Sequence, residues 1–313
     1  MNKNGMPHGI MFHHFHDFKK HIVSQGSLSA LEFEKLLDFY SANHNILNAD
    51  EWMEGALSGT LSSFDVCITF DDALKCQYDI AYKYLKKKNI KAFWFVYTSP
   101  IAGKIERLEI YRDFRFSRFK DIDKFYDEFF KLINSYEDIA EKLKNFNPSE
   151  YLSDYRFYTD NDRIFRYLRD VVLGEEKYFY FMDKMLDMHS YSVDDKCREL
   201  WMSGEDLKDM HADGQIIGLH SHTHHTNLAG LDYETQLYEY KKNKEILEDV
   251  INDEIFTASY PCSSYNGDTL KIMDKLGIRL AFRANMNPGY TSCLELPRND
   301  HAYIMKQMKE KIN

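Results

Sequence analysis

The chain has 313 residues, 44% of them hydrophobic, and a formal net charge of -10. That is enough apolar material for one large core, or a core with an appended subdomain, and it excludes a disordered or low-complexity protein. The negative balance argues against affinity built on counterion release from nucleic acid or on anionic lipid, so a neutral or cationic ligand fits better.

The opening MNKNGMPHGIMFHHFHDF is rich in histidine and holds no apolar run of the length a signal peptide requires. No run of about eighteen apolar residues occurs elsewhere, so no transmembrane segment is expected. The cysteines Cys67, Cys76, Cys197, Cys262 and Cys293 are odd in number and never in a CxxC pair. They suit a reducing compartment rather than a disulfide framework or a cysteine zinc site. The expectation is a cytoplasmic protein, with no sequence signal of its oligomeric state.

Three zones separate by pattern: residues 1–100, 101–200 and 201–313. In the first, FDVCITF at 64–70 reads as a buried strand. A helix over 73–88 follows, with Ile80, Ala81, Tyr84 and Leu85 along one side, and then a strand KAFWFVY at 91–97. Strand, helix and strand make a βαβ unit, which implies a parallel sheet or barrel. The middle zone, from SRFKDIDKFYDEFFKLI to EEKYFYFMDKMLDM, has amphipathic helical spacing and few turn residues, so it reads as a large helical insertion serving as a lid or in assembly. The last zone returns to the first grammar: helix 204–212, strand 216–220, helix 233–250, strand 256–260, then a helix, a strand LAFRA and a final strand near LELPR. Zones one and three are the N- and C-terminal parts of one (β/α) barrel.

Two constellations carry chemistry. Asp71 and Asp72 follow the strand ending in Thr69-Phe70, at the barrel end where function sits. Adjacent buried acids are costly unless a cation or basic group neutralises one, although such a pair also serves as a helix N-cap. The second is His220-Ser221-His222-Thr223-His224-His225, again past a strand. Histidines four apart converge on one metal if the loop turns helically, which selects His220 and His224; strict alternation aims His222 and His225 elsewhere. Asp72 with His220 and His224 makes a two-histidine, one-carboxylate set with open positions, leaving Asp71 as a base for amide hydrolysis by an activated water.

TFDD, then HSHTH, then a strand ending in SYPCSSYN, in this order, resemble the motifs of the polysaccharide deacetylase family. These are NodB homology domains related to carbohydrate esterase family 4. The likeness spans 64–97 and 201–298, and GIMFHHF is similar to the first barrel strand of many members; the middle zone is not covered. It implies a distorted (β/α) barrel with Asp71 as general base and Asp72, His220 and His224 as ligands of a metal, usually zinc. Iron, cobalt, nickel and manganese are compatible with the same donors. The resemblance also implies that the amide after the central Pro261, that of Cys262, helps hold the oxyanion.

The chain departs from the family pattern in two places. The family's arginine two residues before the central proline is absent, since Ser259 and Tyr260 precede Pro261. Arg298, at the end of a late strand, is the candidate replacement to orient Asp71. The family's late Leu-x-His context for a general acid is also missing. His301 is the nearest positional candidate; His13, His14 and His16 are rivals, with His14 and His16 sharing one face if the first strand runs through them. Tyr260 and Tyr265 are candidates for stacking on a sugar, and a Cys262 nucleophile is disfavoured for want of a positioned histidine.

The expectation is therefore a metal-dependent hydrolase removing an N-acetyl or other N-acyl group from an amino sugar of a cell-surface glycan, such as lipopolysaccharide, or from its precursor. The alternatives are a deformylase or other deacylase using the same site, and a catalytically silent carbohydrate-binding relative, favoured by the missing arginine.

Overall fold

The computed structural model describes residues 5–136, 138–153, 158–289 and 292–312. It divides into two compact units, Met1–Glu106 with Arg198–Asn313, and Arg107–Cys197. The first unit is a nearly closed parallel barrel. Its strands are β1 (His8–Phe12), β2 (Asn45–Ile46), β3 (Asp65–Asp71), β4 (Phe93–Val96), β5 (Ile216–Leu219), β6 (Thr257–Ser259), β7 (Leu280–Phe282) and β8 (Arg298–Asp300). They run in the order β7-β6-β5-β4-β3-β1-β8, with β2 beside β3. A parallel bridge from Phe282 to Leu296, just before β8, draws the two ends together.

Both faces of these strands are covered, so they read as continuous apolar runs rather than as alternating ones. Cys67, Phe93, Phe95, Leu280, Phe282 and Leu296 fill the barrel interior with Trp52 and Ala49 of the helix Ala49–Ser58. On the other face of the sheet, Phe70 stacks on Trp94 at 3.8 Å, and Phe12 meets Phe33 of the helix Ala30–Ser41 edge-on at 4.9 Å.

Three details differ from the sequence expectations. β1 stops at Phe12, because the chain leaves the sheet to pair His14 and His16 with Leu28 through main-chain bonds of 3.0 and 2.9 Å. His14 and His16 therefore do not share a strand face. The helix expected from Ala73 is delayed, since Asp72 and Ala73 have φ of 79° and 51°; the pair is no N-cap, and the helix runs through a π-turn at Gln77–Tyr82 into Lys83–Lys88. The last strand begins at Arg298 rather than ending there, because Pro297 has no N–H to give the ladder.

Two strand glycines make room for larger neighbours. A Cβ on Gly9 would stand 2.9 Å from Thr69 Cγ2 and 3.1 Å from Arg298 Cγ, and one on Gly218 would stand 2.5 Å from Thr257 Oγ1 and 2.6 Å from the Phe95 ring.

The second unit is helical, with Arg107–Arg118, Ile122–Asn134, Ile139–Leu143, Asp160–Tyr167 and Gly174–Met188. Its own core is aromatic: Phe114, Phe125, Phe129, Phe165 and Tyr178 are buried, and Met182 and Met185 are fully covered. Asp121 and Thr159 cap helix starts by accepting main-chain N–H bonds. No helix among the described residues is long and apolar enough to cross a membrane.

Because the Gly218 position faces a ring and a hydroxyl inside a packed barrel, Gly218→Ala should destabilise the protein by about 1–3 kcal/mol through overpacking. Urea unfolding checks this; an unchanged midpoint would contradict the packing described.

Candidate metal centre

Asp71 ends β3 and is 3% exposed, a position in which a lone carboxylate would be costly. It is not alone. Arg298, fully buried, opens β8 and forms a two-pronged bond to it, Nη1 to Oδ1 at 2.6 Å and Nη2 to Oδ2 at 2.7 Å. Arg298 Nε donates to Arg283 O at 3.0 Å, and the guanidinium lies between the Phe95 and Phe282 rings at 5.6 and 6.0 Å. Burial works against charge on Asp71, but the Arg298 guanidinium outweighs it and holds the acid below its usual range.

Asp72 is held apart by its left-handed backbone, which points its carboxylate to another partner set. Its main-chain N–H donates to Phe95 O at 3.1 Å, and Ala73 O accepts from Met202 N at 2.8 Å. Those bonds over-determine a conformation that costs an isolated non-glycine residue about 1–3 kcal/mol.

The histidine loop leaves β5 and is not helical. Ser221 and His224 take φ of 61° and 55°, and it is these two left-handed residues, not a helical turn, that bring His220 and His224 together. The helix Tyr233–Ile251 supplies the supports: Asn243 Oδ1 accepts from His220 N at 2.9 Å, and Glu239 Oε2 accepts from His222 N at 3.0 Å and Thr223 N at 2.7 Å.

The result is a cluster in which one ligand atom each from Asp72, His220 and His224 lie within 4.8 Å of one another. Asp72 Oδ1 is 3.4 Å from His220 Nε2 and 3.3 Å from His224 Nε2, yet it is buried with no hydrogen-bond partner. An orphaned buried carboxylate oxygen facing two imidazole nitrogens fits a divalent cation. Burial pushes His224 down to about 4, so it is neutral and able to coordinate at pH 7. For His220, burial lowers the pKa but Asp71 and Asp72 outweigh it, and the net shift is upward.

The remaining candidates are dispersed. His301 does not reach this cluster: β8 hands directly into the helix His301–Ile312, and the ring turns onto Phe12 at 5.6 Å with Nε2 2.9 Å from Gly26 O and Nδ1 3.3 Å from Met11 O. Of its rivals, His13 is the one brought in, its Nε2 3.9 Å from Asp71 Oδ2 and its side chain 28% exposed. His16 instead bonds Ser27 Oγ at 2.8 Å. Tyr260 is fully buried and donates to Leu294 O at 2.8 Å, so it offers no stacking surface; Tyr265 packs on it at 4.6 Å and is half-buried. Cys262 is exposed, on a turn where it and Ser263 have φ of 52° and 56°. His222 bonds Thr98 Oγ1 at 2.9 Å and His225 is exposed, both away from the cluster.

The sequence of the polysaccharide deacetylase family matches residues 172–281. In fold, the chain is similar to IcaB from Ammonifex degensii, at 16% identity over 94% of this chain and 91% of that one, with a TM-score of 0.54. It is also similar to the Streptococcus pyogenes deacetylase PplD in complex with acetate, at 17% identity over 97% and 98%, with a TM-score of 0.53. A third, the de-N-acetylase from Aggregatibacter actinomycetemcomitans, has 11% identity over 96% and 98%, with a TM-score of 0.54. The family match covers most of the C-terminal part of the barrel, and the solved structures share the barrel fold. No curated protein sequence matches the chain.

Against the polysaccharide deacetylase pattern, Ser259 occupies the place of the expected arginine and itself touches Asp71, its hydroxyl 3.1 Å from Oδ1. The guanidinium arrives from β8 instead. Ser259, Glu239, Asn243 and Gln77 were not legible as site residues. Gln77 donates to both Asp71 O at 2.5 Å and His13 O at 2.7 Å, and only the fold brings those carbonyls together.

Arg298→Met should cost about 3–5 kcal/mol, because it strands a buried carboxylate, and adding Asp71→Asn should restore most of that loss. A urea double-mutant cycle measures both; a single substitution as mild as an exposed ion pair, about 1 kcal/mol or less, would refute the buried fork.

Proposed function

We propose that this chain is a metal-dependent hydrolase that removes an N-acetyl, or other small N-acyl, group from an amino sugar of a cell-surface glycan or its precursor. The observation that carries the reading is the juxtaposition of an arginine-clamped acid, Asp71, with the set Asp72, His220 and His224. A binder has no use for the first of these beside the second. The silent alternative drew its support from a missing arginine, and the Arg298 fork removes that support. The partial match to the polysaccharide deacetylase family and the likeness in fold to deacetylases support the same reading.

Asp72, His220 and His224 would hold the cation, with zinc the first expectation from two imidazoles and a carboxylate, and iron, cobalt, nickel or manganese also suited to them. When bound, such an ion supplies Lewis acidity, acidifying water and polarising the acyl oxygen. Asp71, kept ionised by Arg298, accepts a proton from the water whose oxygen adds to the acyl carbon. His13 then delivers a proton to the sugar nitrogen as the carbon–nitrogen bond breaks, leaving a carboxylate and a free amine. His13 takes this role in place of His301, whose nitrogens face main-chain carbonyls. The Cys262 N–H, on the turn just beyond Ser259, is the proposed donor to the acyl oxygen, and the open face of Tyr265 the proposed sugar contact. The cysteines form no CxxC pair, which suits a cytoplasmic enzyme acting on a precursor.

Elemental analysis should find one metal per wild-type chain and none in His220→Ala/His224→Ala, with acetate released from N-acetylated amino sugars by wild type alone. No metal and no acetate in wild type would sink the mechanism. Within the same assay, Asp71→Asn and His13→Asn should keep the metal while slowing acetate release by about 10²–10⁴-fold each. His301→Asn should act on stability rather than on turnover. Should His301→Asn, and not His13→Asn, abolish turnover in folded protein, the acid has been misassigned.

A further inference from the structure

The inner face of β6 carries one polar contact that the mechanism above leaves unused. Ser259 is fully buried, and its Oγ lies 2.7 Å from His220 Nδ1 and 3.1 Å from Asp71 Oδ1. Its own carbonyl oxygen is 3.1 Å from the same His220 Nδ1. One hydroxyl has one proton to give, and Asp71 is an ionised acceptor. If that proton pointed at Nδ1, the contact with Asp71 would join two acceptors, and so would the contact of Nδ1 with the carbonyl. All three contacts are satisfied only when His220 Nδ1 carries a hydrogen shared by Oγ and the carbonyl, while the hydroxyl donates to Asp71.

We infer that Ser259 is a positioning residue whose hydroxyl ties the base Asp71 to the ligand His220, presenting bare Nε2 to the cation and holding Asp71 Oδ1 out of the coordination set. Asp71 Oδ2, 3.9 Å from His220 Nε2, is held by Arg298, which leaves Oδ1 as the oxygen that Ser259 restrains, while Asp72 Oδ1 stands 3.4 Å from the same nitrogen. With Oδ1 occupied by Ser259 and Arg298 Nη1, and Oδ2 by Arg298 Nη2, Asp71 stays a base and Asp72 alone supplies the carboxylate ligand. The family's arginine at this position would reach the base but could not accept from Nδ1, so the serine is a feature of this chain's divided arrangement.

The inference rests on the deacetylase reading, and the test separates the two. Zinc affinity is measured by chelator competition on intact wild type, Ser259→Ala and His220→Ala, and the His220 Nδ1–H signal is followed by nitrogen-15 NMR in the zinc-loaded protein. Wild type should bind zinc and show a protected Nδ1–H. Ser259→Ala should bind about 10–100-fold more weakly, as expected when a partner behind a ligand is removed, and its Nδ1–H should shift and exchange faster. Equal affinity and an unmoved Nδ1–H in Ser259→Ala, with zinc binding lost in His220→Ala, would overturn the role of Ser259 alone. A wild type that binds no zinc would overturn the reading and the inference together. The wild-type NMR signal tests the hydrogen placement even if the alanine variant folds poorly: an unprotonated Nδ1 contradicts it.

Discussion

Two adjacent acids at the end of β3 need different fates, and the buried fork from Arg298 to Asp71 is the constraint that separates them. A carboxylate and a guanidinium removed from water repay their desolvation only in good geometry with every remaining proton used. Here the geometry is two-pronged, the Nε–H has a carbonyl partner, and aromatic rings flank the guanidinium. Gly9 leaves the space through which the arginine stem crosses the barrel interior. Once Asp71 is neutralised by this partner, Asp72 is the carboxylate left without one, and a cation is its natural complement.

The second acid is delivered by backbone strain. Asp72, Ala73, Ser221 and His224 all sit at left-handed φ, and each costs energy that the rest of the barrel must supply. The supports are buried polar groups on the surrounding chain: Glu239 and Asn243 beneath the histidine loop, and the 201–202 segment, where Trp201 also donates to the Tyr97 hydroxyl. Tyr97 packs against the His224 ring at 5.2 Å. The geometry of the cluster at this barrel end thus depends on residues outside it.

What the sequence disclosed follows from this division. The strands were legible because continuous apolar runs are the signature of parallel sheets buried on both faces, and FDVCITF and KAFWFVY fall on β3 and β4. The acid and imidazole donors were legible because such residues crowd together for few reasons other than chemistry. Arg298 was reachable only by asking what replaced an arginine absent from its expected place. His301 lies away from the acids, because sequence position cannot tell which way a side chain turns at the junction of a strand with a helix. Tyr260 was misjudged because a strand-end aromatic serves a core or a ligand equally well on paper. Ser259 and Gln77 carry no signal in the sequence, since their partners lie on other strands.

The most direct measurement is a zinc-soaked crystal structure with anomalous scattering. One ion is expected within about 2.0–2.2 Å of His220 Nε2, His224 Nε2 and an Asp72 oxygen, with Asp71 outside the coordination set and still gripped by Arg298. An ion bound by Asp71, or no ion at this barrel end, would contradict this assignment.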